Sequence, residues 1–313
     1  MAKLSRELMD DLIFDKEIQD ENVVMGPAYG EDAAVVDLGD FYMVAHSDPI
    51  SGAIDNIGWL ALNIAANDIA VSGASPRWAL LTTQFPIDHP KDEIREVMLD
   101  LYDASRDLDI DIVGGHSEMI EQIDHPLITT ALLGITKRPI YTKGSEPGDK
   151  IVQIDEAALE GTWILASDFY MELERKGVDS KVLEEAKSLR DEISVVDSAL
   201  KIKDKVSSMH DPTEGGVLQG LYEMAHASEN EFIIDSTPEL KEISVEICDK
   251  LSLDPFRLIS SGCLLATVPD FIDLEIGKVI GEVRDGEPSV IFEGEKIDPI
   301  EEDELFRTIR SLS

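Results

Sequence analysis

The feature that most constrains the fold is the order in which strand-like and helix-like segments follow one another along the chain. Apolar alternation predicts strands at 33–38 and 41–48, and apolar residues at helical spacing predict a helix over 56–73. A Gly- and Pro-rich segment, 137–149, separates this set from a second mixture of strands and helices. The order is less regular than in a doubly wound sheet, so the sequence predicts a mixed α/β (α+β) fold.

Length and composition predict how this material is divided. A chain of 313 residues, 43% of them hydrophobic, can bury the cores of two domains, which we place at residues 1–140 and 148–313. No apolar run approaches the roughly 20 residues of a membrane helix, and the N-terminus lacks the pattern of a signal peptide. The two cysteines, Cys248 and Cys263, form no metal or disulfide pattern. These features predict a cytoplasmic protein.

The helix predicted over 56–73 carries the most informative acidic residue. Asp68 continues the row of Ile57, Ala61 and Ile64, which is the apolar face of that helix. A carboxylate on such a face is costly to bury unless it is paired or holds a metal ion. The alternative is that the helix has already left the core at this position.

Two further acids lie where predicted strands begin or end. Asp32 follows Gly30 in a loop that enters the first strand, and Asp48 precedes a proline at the end of the second. Carboxylates in such positions can bind a hard cation, and glycine lets the backbone approach a ligand. Ordinary polar turns explain each motif equally well when it is taken alone.

Two glycine-rich motifs complete the set of candidates. In the segment GGHSEM, Gly114 and Gly115 predict a tight turn whose amides could face phosphate oxygens, and His116 could act as an acid or a base. In the segment HDPTEGGV, Asp211 is followed by Thr213, a predicted N-cap of the next helix. Structural capping and a solvated histidine are the plain alternatives.

The net charge of −38 restricts the class of ligand. With 65 acidic and 27 basic residues, the chain lacks the basic patch that binding to nucleic acids or anionic membranes requires. If the protein binds phosphates, divalent cations must supply the positive charge. Scattered aspartates beside small-residue turns therefore predict ATP bound through Mg²⁺.

Six segments, taken in order, resemble the aminoimidazole ribonucleotide synthetase-like superfamily. This superfamily includes the purine enzyme itself, selenophosphate synthetase, thiamine monophosphate kinase and the hydrogenase-maturation protein HypE, to which the segments are most similar. The segments extend from about residue 26 to residue 268; they are GEDAAVV, SDP, NDIAVSGASPRW, GGHSEM, DPTEGGV and LISSGCLLATV.

The resemblance implies a fold, a reaction and a set of site residues. It implies an N-terminal domain that binds ATP and Mg²⁺ and contributes strands to a β-barrel spanning a homodimer, and a C-terminal α/β domain. It also implies ATP-dependent phosphorylation of an oxygen, with Asp32, Asp48 and Asp68 at the metal. His116 and Asp211 are the candidate catalytic residues. The candidate nucleotide-contacting residues are Gly30, Asp32, Asn67, Gly114, Gly115 and Thr213.

Departures from the family pattern leave other functions open. The chain ends in LFRTIRSLS without the cysteine of the HypE tail, and His116 occupies a position where the family carries an acid. We therefore expect the acceptor to be a small molecule or another protein. The alternatives are aminoimidazole ribonucleotide synthesis and a non-catalytic nucleotide-binding dimer.

Overall fold

The structure, a computed structural model, describes residue 4 and residues 6–50, 56–300 and 302–312. Its strands are β1 (Val23–Met25), β2 (Ala34–Asp37), β3 (Tyr42–Ile50), β4 (Ser75–Pro86), β5 (Asp111–Ile120), β6 (Leu127–Thr136), β7 (Lys150–Ile154), β8 (Ser208–His210), β9 (Glu231–Ile234), β10 (Leu264–Val268), β11 (Lys278–Arg284), β12 (Ser289–Phe292) and β13 (Glu295–Lys296). Its α-helices are α1 (Arg6–Met9), α2 (Ile57–Val71), α3 (Lys91–Asp107), α4 (Leu159–Asp168), α5 (Tyr170–Arg175), α6 (Ser180–Lys187), α7 (Val196–Ile202), α8 (Gly216–Ala227), α9 (Glu242–Leu251) and α10 (Glu304–Leu312).

The two halves of the chain build two separate sheets. The first has the strand order β1-β2-β3-β6-β4-β5, in which only β4 and β5 are parallel neighbours. The second has the order β13-β12-β9-β11-β7-β10-β8. This mixed arrangement confirms the predicted α/β (α+β) class, and the hairpin of β2 and β3 forms as predicted.

Helix α2 forms where the apolar spacing predicts it, but its surroundings differ from the expectation. Every residue from Ile57 to Val71 is buried, because α2 packs against the first sheet on one side and against α7 of the second domain on another. Asp68, only 6% exposed, is therefore inside the molecule whichever way it faces. The predicted burial of Asp68 is confirmed, although a single apolar face is not its cause.

The first sheet presents two unlike faces. Helix α2 packs across β3 and β6 on one face of the sheet. Residues of β6 alternate strictly between buried and half-buried positions. Such alternation is typical of a sheet that is packed on one side and open on the other. The open side carries exposed apolar side chains, including that of Leu80.

Helices α6 and α7 of the second domain are separated by a 3₁₀ turn at 188–192. Contacts between the domains are specific: Arg190 of this turn donates a hydrogen bond to Asn56 and lies 4.6 Å from the ring of Trp59. None of the helices in the described ranges combines the length and apolar character needed to cross a membrane.

Candidate functional site

Strand β3 carries two polar side chains on the face that α2 covers. Side chains alternate along a strand, so His46 and Asp48 share this face with the fully buried Val44. The His46 ring joins two acids that are distant in sequence: Nδ1 donates to the backbone carbonyl of Asp32, and Nε2 lies 3.1 Å from Asp68 Oδ2. His46 therefore holds α2 beside the loop that precedes β2.

A second histidine lies between two carboxylates at the end of β8. His210 Nδ1 is 2.8 Å from Asp32 Oδ2, and its Nε2 is 3.0 Å from Glu223 Oε2 on α8. Gln219, one turn earlier on α8, donates a hydrogen bond to the other Glu223 oxygen. Burial alone would lower the pKa of His210, but Asp32 and Glu223 raise it well above its ordinary value. The ring is thus a buried imidazolium with both nitrogens engaged.

The next residue, Asp211, is the most unusual group of the site. It is 1% exposed, and neither of its carboxylate oxygens has a hydrogen-bond partner among the described residues. Burial raises its pKa well above the ordinary value, and the nearby charges of Asp68 and Asp32 raise it further. A buried carboxylate without a donor is costly, so this group requires either a proton or a cation.

Asp32 and Asp211 supply carboxylate oxygens that suit Mg²⁺, and Asp68 lies near enough for its charge to raise the pKa of Asp211; we call these three acids the interdomain carboxylate cluster. Ligand atoms of Asp32, His210 and Asp211 all lie within 4.8 Å of one another. His210 is not a suitable ligand, because both of its ring nitrogens already face carboxylates. The remaining donors are oxygens, which magnesium prefers. The unpartnered oxygens of Asp211 are the observation that makes the fit with this ion good.

A second acidic group adjoins the site at the start of α4. Glu160 is 3% exposed, and burial raises its pKa to about 8, with further contributions from the negative charges of Glu214, Asp303 and Asp48. Its Oε2 has no hydrogen-bond partner within the described ranges. Glu160 is therefore protonated at neutral pH, within electrostatic reach of Asp48 on β3.

Asn67, predicted to contact the nucleotide, is engaged elsewhere. Its side-chain amide nitrogen donates to the backbone carbonyl of Ile193 at 3.0 Å, and its amide oxygen accepts from the backbone N–H of Val195 at 2.9 Å. Both ends of the amide thus fasten α2 to the segment before α7. A contact between Asn67 and the nucleotide stays a prediction, while the structure shows this side chain in the contact between the domains.

Gly30 allows a close backbone approach near the site, whereas Thr213 does not cap the helix that follows it. Gly30 has a φ of +75°, and a Cβ there would lie 3.0 Å from the carbonyl of Glu223, so glycine lets this loop approach α8. The predicted capping role of Thr213 is wrong, because α8 begins at Gly216 and the residue before it, Gly215, provides no side-chain cap. The adjoining carboxylate of Asp303 accepts from the N–H of Gly215 at 2.6 Å.

The predicted tight turn at Gly114 and Gly115 is also wrong. Both glycines lie inside β5, an edge strand that pairs in parallel with β4. A Cβ on Gly115 would lie 1.9 Å from the carbonyl of Leu81, so close strand packing requires glycine here. The side chain of His116 is 65% exposed and lies 3.5 Å from Glu118. Within one protomer, β6 and β4 lie between this strand and β3, so His116 is apart from the carboxylate cluster.

Sequence reasoning missed four residues of this region: His46, His210, Glu223 and Glu160. The two histidines had a local signal, because His46 lies two residues before Asp48 and His210 directly precedes Asp211. Glu223 and Glu160 had none, because each reaches the site only through the packing of its helix.

Family models match most of the chain. The model of the AIR synthase related protein N-terminal domain matches residues 30–136, and the model of the C-terminal domain matches residues 146–291. A putative hydrogenase expression/formation protein of Methanocaldococcus jannaschii is 27% identical over 281 residues, which is 85% of this chain and 80% of the relative. The carbamoyl dehydratase HypE of Cupriavidus necator is 26% identical over 217 residues, 67% of this chain and 59% of the relative.

Solved structures show the same fold at low identity. The structure of AaThiL complexed with AMPPCP and TMP matches with a TM-score of 0.77 at 19% identity and covers 95% of both chains. The hydrogenase maturation protein HypE in complex with ATP matches with a TM-score of 0.65 at 21% identity and covers 96% of both chains. The similarity extends over both domains, which confirms the predicted two-domain architecture.

Proposed function

Because the chain belongs to the AIR synthase related protein family, we propose that it is an ATP- and Mg²⁺-dependent enzyme that phosphorylates an oxygen of its acceptor. The observation that carries this proposal is the pair of unpartnered, fully buried oxygens of Asp211 beside Asp32 and Asp68. A bound cation removes the cost of burying these three carboxylates together. The similarity to proteins whose structures contain ATP or AMPPCP supports the choice of nucleotide.

In this proposal the interdomain carboxylate cluster holds the metal, and its neighbours hold the cluster. When bound there, Mg²⁺ would supply the positive charge that the phosphates of ATP require. His210 bonds to Oδ2 of Asp32, and His46 Nε2 lies 3.1 Å from Oδ2 of Asp68, so each acid has a histidine beside it. Asp211 thereby moves from the catalytic role predicted above to that of a metal ligand, while Asp48 stays a predicted ligand.

The acceptor is proposed by chemical class. Relatives named carbamoyl dehydratase and thiamine-monophosphate kinase both support activation of an oxygen atom with ATP. Glu160, neutral at physiological pH and within electrostatic reach of Asp48, can donate a hydrogen bond to a polar group. An amide- or carbamoyl-type carbonyl, or a phosphate ester, fits these observations.

Phosphorus NMR tests the proposed reaction directly. The protein is incubated with ATP, Mg²⁺ and a panel that includes thiamine monophosphate and carbamoyl-bearing compounds. We expect new phosphorus signals that require both Mg²⁺ and an acceptor and that disappear with EDTA. ATP that stays intact with every acceptor, together with no Mg²⁺-dependent binding of ATP, contradicts the proposal.

We also propose that two copies associate through the open face of the first sheet. Leu80, on the open side of β4, is 42% exposed, and Val113, at the bulge of the neighbouring edge strand β5, is 56% exposed. Apolar side chains on an uncovered sheet are typical of an interface. Sedimentation of Leu80→Lys should show monomers, whereas Leu99→Lys, an exposed leucine of α3, should leave the dimer intact. A parent protein that is monomeric at all concentrations contradicts this assembly.

A further inference from the structure

At a cavity away from the carboxylate cluster, basic residues outnumber acidic ones, which is the opposite of the balance in the whole chain. It has a volume of about 760 Å³ and lies where β4 begins and β6 ends, against the segment that follows α7. Arg77, Lys137, Arg138 and Lys203 line it together with three aspartates, although acidic residues outnumber basic ones by 65 to 27 in the whole chain. In a protein of this composition, four cations at one cavity require a specific explanation.

Two of the four cations have a structural explanation. Arg138, just after β6, donates to the backbone carbonyls of Lys203, Asp204 and Val206 in the second domain. Lys203 donates in return to the carbonyl of Gly73 in the first domain, at 3.2 Å. These bonds fasten the domains together and place two positive charges at the back of the cavity. Domain contact therefore accounts for these two residues, but not for the others.

Arg77 and Lys137 contribute to no such contact between the domains. Arg77 lies 5.2 Å from the centre of the Trp78 ring, which holds the flat face of the guanidinium and leaves its in-plane N–H groups available. The register of β4 against β6 shifts between Pro76 and Trp78, so Arg77 is the extra residue of a β-bulge. Bulges redirect side chains beside sites. Across the residues that the structure describes, neither Arg77 nor Lys137 forms an ion pair with a carboxylate.

We propose that this cavity binds a small phosphate ester. Two cations without ion-pair partners suit a dianionic group, which phosphate is near neutral pH, and a guanidinium with free in-plane donors can bind two phosphate oxygens at once. Phe41, Pro76 and Ile135 supply apolar walls for the organic part of the molecule. The volume lies within the range of sites for small molecules.

This basic cavity is separate from the proposed catalytic site. Along β3, Tyr42 pairs with Thr136 at the cavity, whereas His46 pairs with Leu132. Four residues of strand separate the two positions, which corresponds to roughly 13 Å. The phosphate site therefore does not depend on the proposed reaction, and either proposal can fail without the other.

Fluorine NMR of protein labelled with 5-fluorotryptophan tests the site, because Trp78 lines the cavity. The Trp78 signal is assigned with Trp78→Phe, and inorganic phosphate is titrated at constant ionic strength. We expect the signal to move saturably. In the double variant Arg77→Ala/Lys137→Ala, the apparent affinity should fall by more than about tenfold, because two charge-assisted contacts are lost. The control Lys91→Ala/Arg95→Ala removes the same charge from exposed positions of α3 and should bind like the parent.

Three results would overturn this proposal. The first is a Trp78 signal that does not move saturably at tens of millimolar phosphate, and the second is equal binding by the double variant and the parent. Succinate is titrated in parallel, and affinity equal to that for phosphate would contradict the assignment of a phosphate ester. Asp68→Asn should leave the titration unchanged, which separates this site from the proposed Mg-ATP site.

Discussion

The interdomain carboxylate cluster and the edge strand β5 both carry motifs that the sequence assigns to one site, yet they differ in exposure and in the charges around them. Asp68 and Asp211 are 6% and 1% exposed and have other charged groups around them. His116 on β5 is 65% exposed and has Glu118 at 3.5 Å. Strong electrostatic coupling requires burial, because water screens exposed charges. The comparison teaches that burial distinguishes the candidate metal-binding acids from the exposed motif residues of β5.

The largest expected effect comes from removing a charge inside the cluster. Asp68→Asn should weaken Mg-ATP binding by about 100-fold or more, because one oxygen ligand loses its charge. Calorimetry of ATP binding with and without Mg²⁺ measures the change. Asp103→Asn, an exposed acid of α3, is the control and should bind as the parent does. Equal affinity for parent and Asp68→Asn would break the distinction between buried and exposed acids.

A change of intermediate size is expected at Glu160. Burial raises its pKa from 4.5 to about 8, so between these values the folded protein binds more protons than the unfolded chain. The parent therefore loses unfolding free energy as the pH rises through this range. Glu160→Gln cannot titrate, and at pH 8 it should be more stable than the parent by on the order of 1–4 kcal/mol.

Urea unfolding at about pH 5, 6, 7 and 8, values that lie between the ordinary and the raised pKa of Glu160, measures the effect of Glu160→Gln. The matched control is Glu118→Gln on the exposed strand β5. Its difference in unfolding free energy from the parent should stay constant with pH. A constant difference for Glu160→Gln as well would show that Glu160 is ionised in the folded protein.

The smallest effect is expected on β5. His116→Ala should change Mg-ATP affinity by less than about threefold, since an exposed histidine beside one carboxylate contributes little. The measurement is the calorimetric titration used for Asp68→Asn. A loss comparable to that of Asp68→Asn would break the comparison, and it would show that β5 of a partner protomer reaches the site.

The sequence predicts the burial of Asp68 because apolar spacing locates helix α2, but packing on several sides of α2, rather than one apolar face, buries the residue. It predicts the hairpin of β2 and β3 for a similar local reason. It mistakes the Gly114-Gly115 pair for a turn, because glycine serves tight turns and close strand contacts alike. Only the structure distinguishes the two, through the carbonyl of Leu81 that excludes a side chain at Gly115.

Contacts between distant segments could not be predicted from the sequence. His210 meets Asp32 across 178 positions, and Asn67 meets Val195 across 128. Such pairs depend on how two domains dock, which leaves no periodic signal in either segment. The four cations of the basic cavity also come from three separate segments, so their clustering is invisible in a net charge of −38.

Asp211→Asn tests the central claim most directly, because it predicts two opposite changes in one variant. Because burial raises the pKa of Asp211, the metal-free parent must take up a proton when it folds at neutral pH, whereas the amide need not, so the variant should gain about 1–3 kcal/mol of unfolding free energy. Calorimetry of the same sample should show that Mg²⁺-dependent ATP binding is lost. A variant that is less stable than the parent and still binds Mg-ATP with the parent's affinity would contradict the claim that Asp211 is buried to hold a metal ion.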